Sequence, residues 1–162
     1  LPSEKEQNRG PHTSSEDGVE LFFPNGSQHD AYTKIREILL SAKSSIMIVD
    51  SYVDGSIFKT LSVCQPNLTI SILSQNIPAD FKLESSKFRD QYKFQKLSVR
   101  KSREFHDRFI IIDDKHCFHL GASIKDTGPR VSMLHKVQDP HNIDALISQS
   151  TGSWENAKII ST

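Results

Sequence analysis

The sequence predicts a single α/β domain, and three observations lead to that prediction. A chain of 162 residues is the size of one domain and can bury about two-thirds of its unfolded surface. Apolar residues recur at helical spacing between residues 31 and 42, which predicts a helix with one buried face. The run at 46–49 is short, apolar and rich in β-formers, as in a strand buried on both faces. A helix that leads directly into such a strand indicates helices layered on a sheet.

Turn-forming residues separate the remaining elements. Residues 24–26 end a first strand, Ser27 or Asp30 can cap the first helix, and Pro78 can open the third. Residues 1–20 are polar and charged, so we predict a flexible tail or linker there and a folded domain spanning 21–162. We predict strands at 21–23, 46–49, 68–73, 97–99, 109–112, 117–120 and 131–137, and helices at 31–42, 57–61, 78–92 and 140–150.

The composition excludes several classes of protein. Twenty basic residues balance twenty acidic ones, so no global charge favours a polyanion or a membrane. No apolar run approaches the roughly 18 residues that span a bilayer, and Cys64 and Cys117 lack metal-site spacing. We therefore expect a cytoplasmic protein with reduced, half-buried thiols. The chain begins at Leu1 rather than Met, which suggests a processed chain or a fragment with a possible fused domain before it.

A polar cluster stands at the start of an otherwise apolar strand. His106 and Arg108 precede the run 109–112, and Asp113 follows it. On an extended strand His106 and Arg108 would share one face, about 7 Å apart, which suits two groups that hold one phosphate. Asp113 has the opposite parity and lies at the far end, so we expect it to orient or anchor rather than to attack.

The segment resembles the HxKxxxxD signature of the phospholipase D superfamily, in its single-motif endonuclease type. His106 and Asp113 match the signature, and Arg108 stands where the family has lysine. The order of elements over residues 21–150 and the Gly121-Ala122-Ser123 run after the motif strand agree with the resemblance. It implies a mixed, largely parallel central sheet flanked by helices on both faces.

The resemblance also implies a chemistry that requires neither a metal nor a cofactor. One histidine attacks phosphorus to form a phosphohistidine, and a second protonates the leaving oxygen. With one motif in the chain, the second His106 would come from the other subunit of a homodimer, or from a partner half in a longer chain. Arg108 would grip phosphate and Ser123 would donate to it. Ile124 stands where the family has asparagine, so Lys125 or Asp126 would have to substitute.

Basic residues are in excess between residues 82 and 108. Arg100, Lys101 and Arg103 would line the rim of the site and hold flanking phosphates of DNA or RNA. The alternative is an ordinary solvated surface. The aromatic residues of this region, Phe88, Tyr92 and Phe94, fit a core better than a base-stacking platform. Nucleic acid is therefore the favoured partner, with a phospholipid headgroup as the alternative substrate.

Each candidate residue also has a purely structural interpretation. His106 could be an ordinary packed histidine, Arg108 could pair with Asp107 or Glu104, and Asp113 could serve only a turn. His119 could approach the site, although core or surface placement fits it better. At the level of function, the alternatives are a catalytically weak or inactive module that binds nucleic acid or phosphate, and a purely structural dimerisation domain.

Overall fold

The computed structural model describes residues 12–13, 20–126 and 131–162, with only the backbone at 12–13. The strands are β1 His12–Thr13, β2 Glu20–Phe23, β3 Ser45–Val49, β4 Thr69–Ser74, β5 Leu97–Lys101, β6 Arg108–Ile112, β7 His116–Leu120, β8 Ser132–Lys136 and β9 Lys158–Ser161. The helices are α1 Gln28–Leu40, α2 Ser56–Leu61, α3 Phe81–Tyr92 and α4 Pro140–Asn156, with a 3₁₀ turn at Ile124–Asp126.

The described strands form one sheet in the order β1-β2-β8-β7-β6-β3-β4-β5-β9. Only the β3–β4 and β4–β5 pairs are parallel, and every other described pair is antiparallel. The expectation of a largely parallel sheet is therefore wrong. One reason is that only three residues, 113–115, join β6 to β7, and so short a connection permits only antiparallel neighbours.

Alternate residues of the central strands face one main core. Ile48 of β3 lies beside Ile72 of β4 and Ile110 of β6 in the sheet, and all three are fully buried. Helices α1, α2 and α3 cover this face, and their apolar residues extend the same cluster. The helical members are Ala31, Ile35, Ile38, Leu39, Ile57, Phe58, Leu61, Phe81 and Phe88.

Helix α4 lies on the opposite face of the sheet. Arg100 alternates with the buried Val99 along β5, so the Arg100 side chain leaves from that opposite face. There its guanidinium lies 4.5 Å from the centre of the Trp154 ring and donates to the Trp154 carbonyl oxygen at 2.8 Å. The helix begins at a capping residue, Asp139, whose side chain accepts from the amides of two following residues. Helices thus flank both faces, as expected.

Most predicted elements are present, with differences at their ends. The tail predicted at 1–20 lies mostly outside the described residues, but His12–Thr13 pair with β2, and β2 already begins at Glu20. Ser27 stands at the start of α1, yet its hydroxyl donates to the Pro24 carbonyl oxygen and accepts no capping hydrogen bond from the helix amides. The third helix begins at Phe81 instead of Pro78. Strand β9 was not predicted.

Both cysteines are free and buried. Burial is deeper than the half-buried state expected, and it raises the pKa of each thiol to about 11. At neutral pH both side chains are therefore neutral thiols. Within the described residues, no helix is both long and apolar enough to cross a membrane.

Candidate functional site

The ends of several strands meet at one edge of the sheet. Val49, the last residue of β3, pairs with Leu73 near the end of β4 and with Phe109 near the start of β6. Arg108, the first residue of β6, pairs with Leu120, the last residue of β7. The loops after β3, β4, β5 and β7 therefore lie at the edge where β6 begins. This edge carries the candidate site, and we call it the motif edge.

His106 lies in a bend two residues before β6 and is exposed. It is not part of the strand, so the expected pairing with Arg108 on one extended face is wrong. The neighbouring carbonyl oxygen of Phe105 accepts a hydrogen bond from the Ser51 hydroxyl at 3.3 Å. That contact attaches the β5–β6 loop to the end of β3, and the imidazole of His106 is open to solvent. The alternative of a packed histidine does not fit this placement.

Arg108 is half-buried at the first position of β6. Its Nε is buried and has no hydrogen-bond partner among the described residues. The two carboxylates that could have neutralised it are engaged elsewhere: Asp107 lies 3.7 Å from His119 Nε2, and Glu104 accepts from the Ser153 hydroxyl. The structural alternative for Arg108, an ion pair with Asp107 or Glu104, is therefore not observed.

Asp50 is a buried carboxylate at the motif edge that the sequence analysis missed. It is 1% exposed and follows β3 directly. Its oxygens accept from the amide of Ile124 at 2.7 Å, the hydroxyl of Ser123 at 2.8 Å and the amide of Tyr52 at 3.0 Å. These hydrogen bonds offset the free-energy cost of burying the Asp50 carboxylate. They also join the loop after β3 to the loop after β7. The available signal was a lone carboxylate after the apolar run 46–49.

Ser123 does not present its hydroxyl to solvent. It is 3% exposed, and the hydroxyl is directed at the Asp50 carboxylate. In the observed placement the Ser123 hydroxyl has a structural role, which differs from the expected role as a phosphate donor. The absence of a side chain at Gly121, two residues before Ser123, has a steric reason. A Cβ on Gly121 would lie 3.1 Å from the Met133 carbonyl oxygen of β8.

The two lysines predicted to bind substrate, Lys101 and Lys125, line one groove of about 420 Å³ at the motif edge. They are far apart in the sequence, and the fold brings them together. Lys125 Nζ lies 2.7 Å from an Asp126 carboxylate oxygen, and this hydrogen bond is the main reason that the pKa of Lys125 is raised. The loops after β3 and β4 form the rest of the wall, with Tyr52, Val53, Asp54, Gln75, Asn76, Ile77 and Pro78.

The other two predicted rim residues are placed differently. Arg103 is exposed in the β5–β6 loop, as expected of a rim residue. Arg100 is held against Trp154 on the α4 face, so its expected role at the rim is wrong. The reason is strand alternation: Arg100 lies one position before Lys101 in β5 and therefore leaves from the other face of the sheet.

Other histidines lie near the site without forming a metal centre. His119 and His135 are cross-strand partners on the α4 face, with ring centres 4.9 Å apart. Burial and the neighbouring His119 lower the pKa of His135, against an opposing effect of Glu20. No group of three or more potential metal ligands comes together among the residues that the structure describes. The contact that connects His119 to the site is therefore its contact with Asp107.

Comparison with known structures identifies the architecture. Nuc from Salmonella typhimurium, a phospholipase D family member, superposes with a TM-score of 0.61 at 15% identity, over 80% of this chain and 90% of that one. The archaeal chromatin protein TrmBL2, which has a novel mode of DNA binding, gives 0.60 at 16% identity, over 91% of this chain and 56% of that one. Phosphatidylserine synthase from Haemophilus influenzae Rd KW20 gives 0.60 at 16% identity, over 86% and 39%. No family model and no curated protein matches the sequence.

The chain has the phospholipase D fold. The fold confirms the mixed sheet flanked by helices that the HxKxxxxD-like segment implied, but not the largely parallel strand direction, and at these identities it carries no conclusion about activity. Within it, the three signature residues are separated along β6: His106 and Arg108 lie at the motif edge, and Asp113 lies at the other end of the strand, about 17 Å away.

Asp113 anchors the phospholipase D fold at that far end. With Asp114 it adopts the left-handed conformation of a tight two-residue turn, which aspartate tolerates. Its carboxylate accepts from the amides of Lys43, Ser44 and Ser45 at 2.7 to 3.0 Å and from the Ser44 hydroxyl at 3.0 Å. Burial raises the pKa of Asp113, but these hydrogen bonds outweigh it and lower the pKa to about 2.

We predict that Asp113→Asn lowers the free energy of unfolding by about 1–2 kcal/mol at pH 7, allowing for solvent screening. Because the folded pKa of about 2 is below the ordinary value of 3.8, the stabilisation is complete above pH 4 and is lost as the pH falls through 2. Urea unfolding at pH 7, 4 and 1.5 measures this, and the two proteins should converge at the lowest pH. Asp114→Asn, in the same turn, is the matched control and should match the parent. Equal losses in both variants would contradict the assignment.

Proposed function

We propose that this chain is a metal-independent phosphodiesterase of the phospholipase D superfamily that acts on nucleic acid, with His106 as the reacting group. The observation that carries the proposal is that an exposed His106 lies at the motif edge two residues before Arg108, whose buried Nε has no hydrogen-bond partner among the described residues. The groove lined by Lys101 and Lys125 opens at the same edge and supplies further positive charge. An exposed imidazole and cationic side chains at one edge of the sheet are together what phosphate-ester chemistry requires.

The reaction proceeds in two displacements at phosphorus. An imidazole nitrogen of one His106 attacks phosphorus, the N–P bond forms, and the P–O bond to the leaving group breaks as a second histidine gives that oxygen its proton. The second histidine then takes a proton from water, the resulting hydroxide attacks phosphorus, and the N–P bond breaks to restore the first His106. Arg108 donates to the nonbridging oxygens in both steps and stabilises the charge that develops on them.

The second histidine is the His106 of another copy of the chain, at a site shared across a two-fold axis. A two-fold dimer places the same residue of both subunits at the axis without any further motif in the sequence. The exposure of His106 is compatible with such a contact, and Tyr52, an aromatic residue in the loop after β3, is 51% exposed. Tyr52 follows Ser51, which holds the His106 loop through Phe105. Exposed aromatic residues next to an incomplete site are typical of an interface.

Nucleic acid is favoured over a phospholipid headgroup. Lys101, Arg103 and Lys125 spread positive charge along the motif edge, which matches a chain of phosphates better than a single headgroup. DNA binding by the structurally similar TrmBL2 is consistent with this substrate class, whereas the similarity to phosphatidylserine synthase keeps a phospholipid as the alternative substrate.

A second candidate function is a module that binds nucleic acid or phosphate without cleaving it. Two observations favour it: Arg108 replaces the lysine of the signature, and Ile124 occupies the place of the asparagine, with its amide bonded to Asp50. Lys125 would have to replace the missing asparagine side chain, and its ammonium already donates a hydrogen bond to Asp126.

We expect the protein to cleave single- or double-stranded DNA or RNA in excess EDTA, and we expect His106→Ala to lose cleavage by at least about a hundredfold, because it removes the nucleophile. Gel assays with end-labelled substrates measure this. His29→Ala, an exposed histidine on α1, is the matched control and should retain full activity. Binding without cleavage by the parent protein would reject the enzyme and establish the binding module.

Arg108→Lys should weaken substrate binding and raise kcat about tenfold. The rise in kcat corresponds to an activation free energy that is lower by about 1.4 kcal/mol. The ammonium of lysine is compact and mobile and can follow the charge in the transition state, whereas the guanidinium fork is rigid. Steady-state kinetics on a chromogenic phosphodiester separates the two effects. A fall in both kcat and affinity would show that the chemistry of this site is adapted to arginine.

Mixing active and inactive subunits tests the shared site. If both His106 side chains are needed, equal amounts of parent protein and His106→Ala should, after subunit exchange, retain about a quarter of the parent activity per total dimer, rather than about half. Sedimentation at micromolar concentration should show a dimer. A linear dependence of activity on the parent fraction would reject sharing, and a monomer would require a second half elsewhere in a longer chain.

A further inference from the structure

A second positively charged groove lies at the opposite edge of the sheet from His106. It has a volume of about 460 Å³ and runs between the C-terminal half of α1 and the turn that joins β6 to β7. Four lysines from separate segments of the chain line it, and we call it the lysine groove. Its lining residues are Lys34, Glu37, Ile38, Ser41, Lys43, Asp113, Lys115, His116, Phe118 and Lys136.

The lysine groove carries positive charge that the protein does not neutralise. Within the described residues, Lys34 has an ion pair, at 3.6 Å from Glu37, but Lys43, Lys115 and Lys136 have none. Four lysines and two carboxylates give the lining a net charge of +2, with His116 able to add to it. The carboxylate of Asp113 already accepts several backbone hydrogen bonds. In a chain whose net charge is zero, such a concentration of cations attracts an anion.

The form of the lysine groove indicates which anion it would hold. Its floor is partly apolar, with the buried Ile38 and the half-buried ring of Phe118. The ammonium of Lys136 lies 6.0 Å from the centre of that ring. Proteins that bind single strands combine a cationic groove for the backbone with an aromatic ring on which a base can stack. We infer that the lysine groove binds the phosphate backbone of a single-stranded nucleic acid.

The inference rests on the proposed function for the identity of the polymer. It adds a second region of contact, separate from the motif edge. Arg108 and Asp113 mark the two ends of β6, about 17 Å apart, so the lysine groove and His106 lie at opposite ends of one strand. A short substrate could occupy one region only. A longer strand could contact both, and the lysine groove should then contribute to affinity without taking part in the chemistry.

The test compares two double variants of the full chain. Lys43→Gln with Lys115→Gln removes two groove cations, and the Lys43 amide that bonds Asp113 is kept because the backbone does not change. Lys82→Gln with Lys87→Gln removes two exposed lysines from α3 and is matched in charge. Fluorescence anisotropy with a labelled 20-nucleotide poly-dT strand, in EDTA over a salt series, gives affinity and its salt dependence. Thermal unfolding confirms that both variants are folded.

We expect the groove variant to bind the strand about tenfold more weakly at 0.1 M salt. The slope of log K against log salt should become shallower by about 1.4, or about 0.7 for each phosphate that the variant no longer neutralises. The α3 variant should match the parent in both quantities. Turnover of a small chromogenic phosphodiester should be the same in all three proteins, so a failure of the proposed chemistry remains distinguishable from a failure of the groove.

Three outcomes would overturn the inference. The first is equal affinity and equal salt slope in the two double variants. The second is competition by inorganic phosphate or a mononucleotide as effective as that by the 20-nucleotide strand, which would make the groove a site for a single phosphate. The third is groove-dependent binding to vesicles that contain phosphatidylserine, without groove-dependent binding to the strand.

Discussion

Strand β6 lies between β3 and β7, and the polar groups at its two ends fix the loops around it. Within the strand, Ile110, Ile111 and Ile112 are all buried and supply apolar contacts. Its register against β3 is set at one end by Asp113, which holds the residues that begin β3. A shift by one residue would turn Ile110 and Ile112 away from the core and break those bonds at once. The position of Arg108 at the motif edge therefore follows from contacts made at the other end of the strand.

The loop that carries His106 is held by two further groups of contacts. On one side, Ser51 bonds the Phe105 carbonyl, next to the Asp50 carboxylate that joins the loops after β3 and β7. On the other side, β9 pairs with β5, and Ser153 of α4 donates to Glu104. Helix α4 and β9 therefore contribute to the site without supplying a reacting group. They limit the movement of a loop whose imidazole must remain exposed.

The sequence predicted the helices and most strands well, because those depend on local periodicity, whereas the chemical roles drawn from the motif stay predictions. It did not predict the direction of the strands, since an apolar run such as 46–49 reads the same whether its neighbour is parallel or antiparallel. Strand β9 was missed because Ile159 and Ile160 are only two apolar residues near the end of the chain. The role of Arg100 depended on strand parity, and that of Asp50 on partners more than 70 residues away in the sequence. Tertiary contacts of this kind leave no local pattern.

Under the proposed function, Arg108 and the lysine groove would favour retention of substrate over speed of reaction. A guanidinium at the first position of a strand, with its Nε buried, presents its fork in one orientation. In the proposed mechanism such a fork contacts the nonbridging oxygens in the ground state as well as in the transition state, and the part of the binding that is common to both states does not raise kcat. The lysines of the groove lie at the other end of β6 from the chemistry and would bind both states equally. Under the proposed function, a chain with these two features would hold a nucleic acid strand firmly while His106 acts slowly, which is where a nuclease and a binding module of this fold converge.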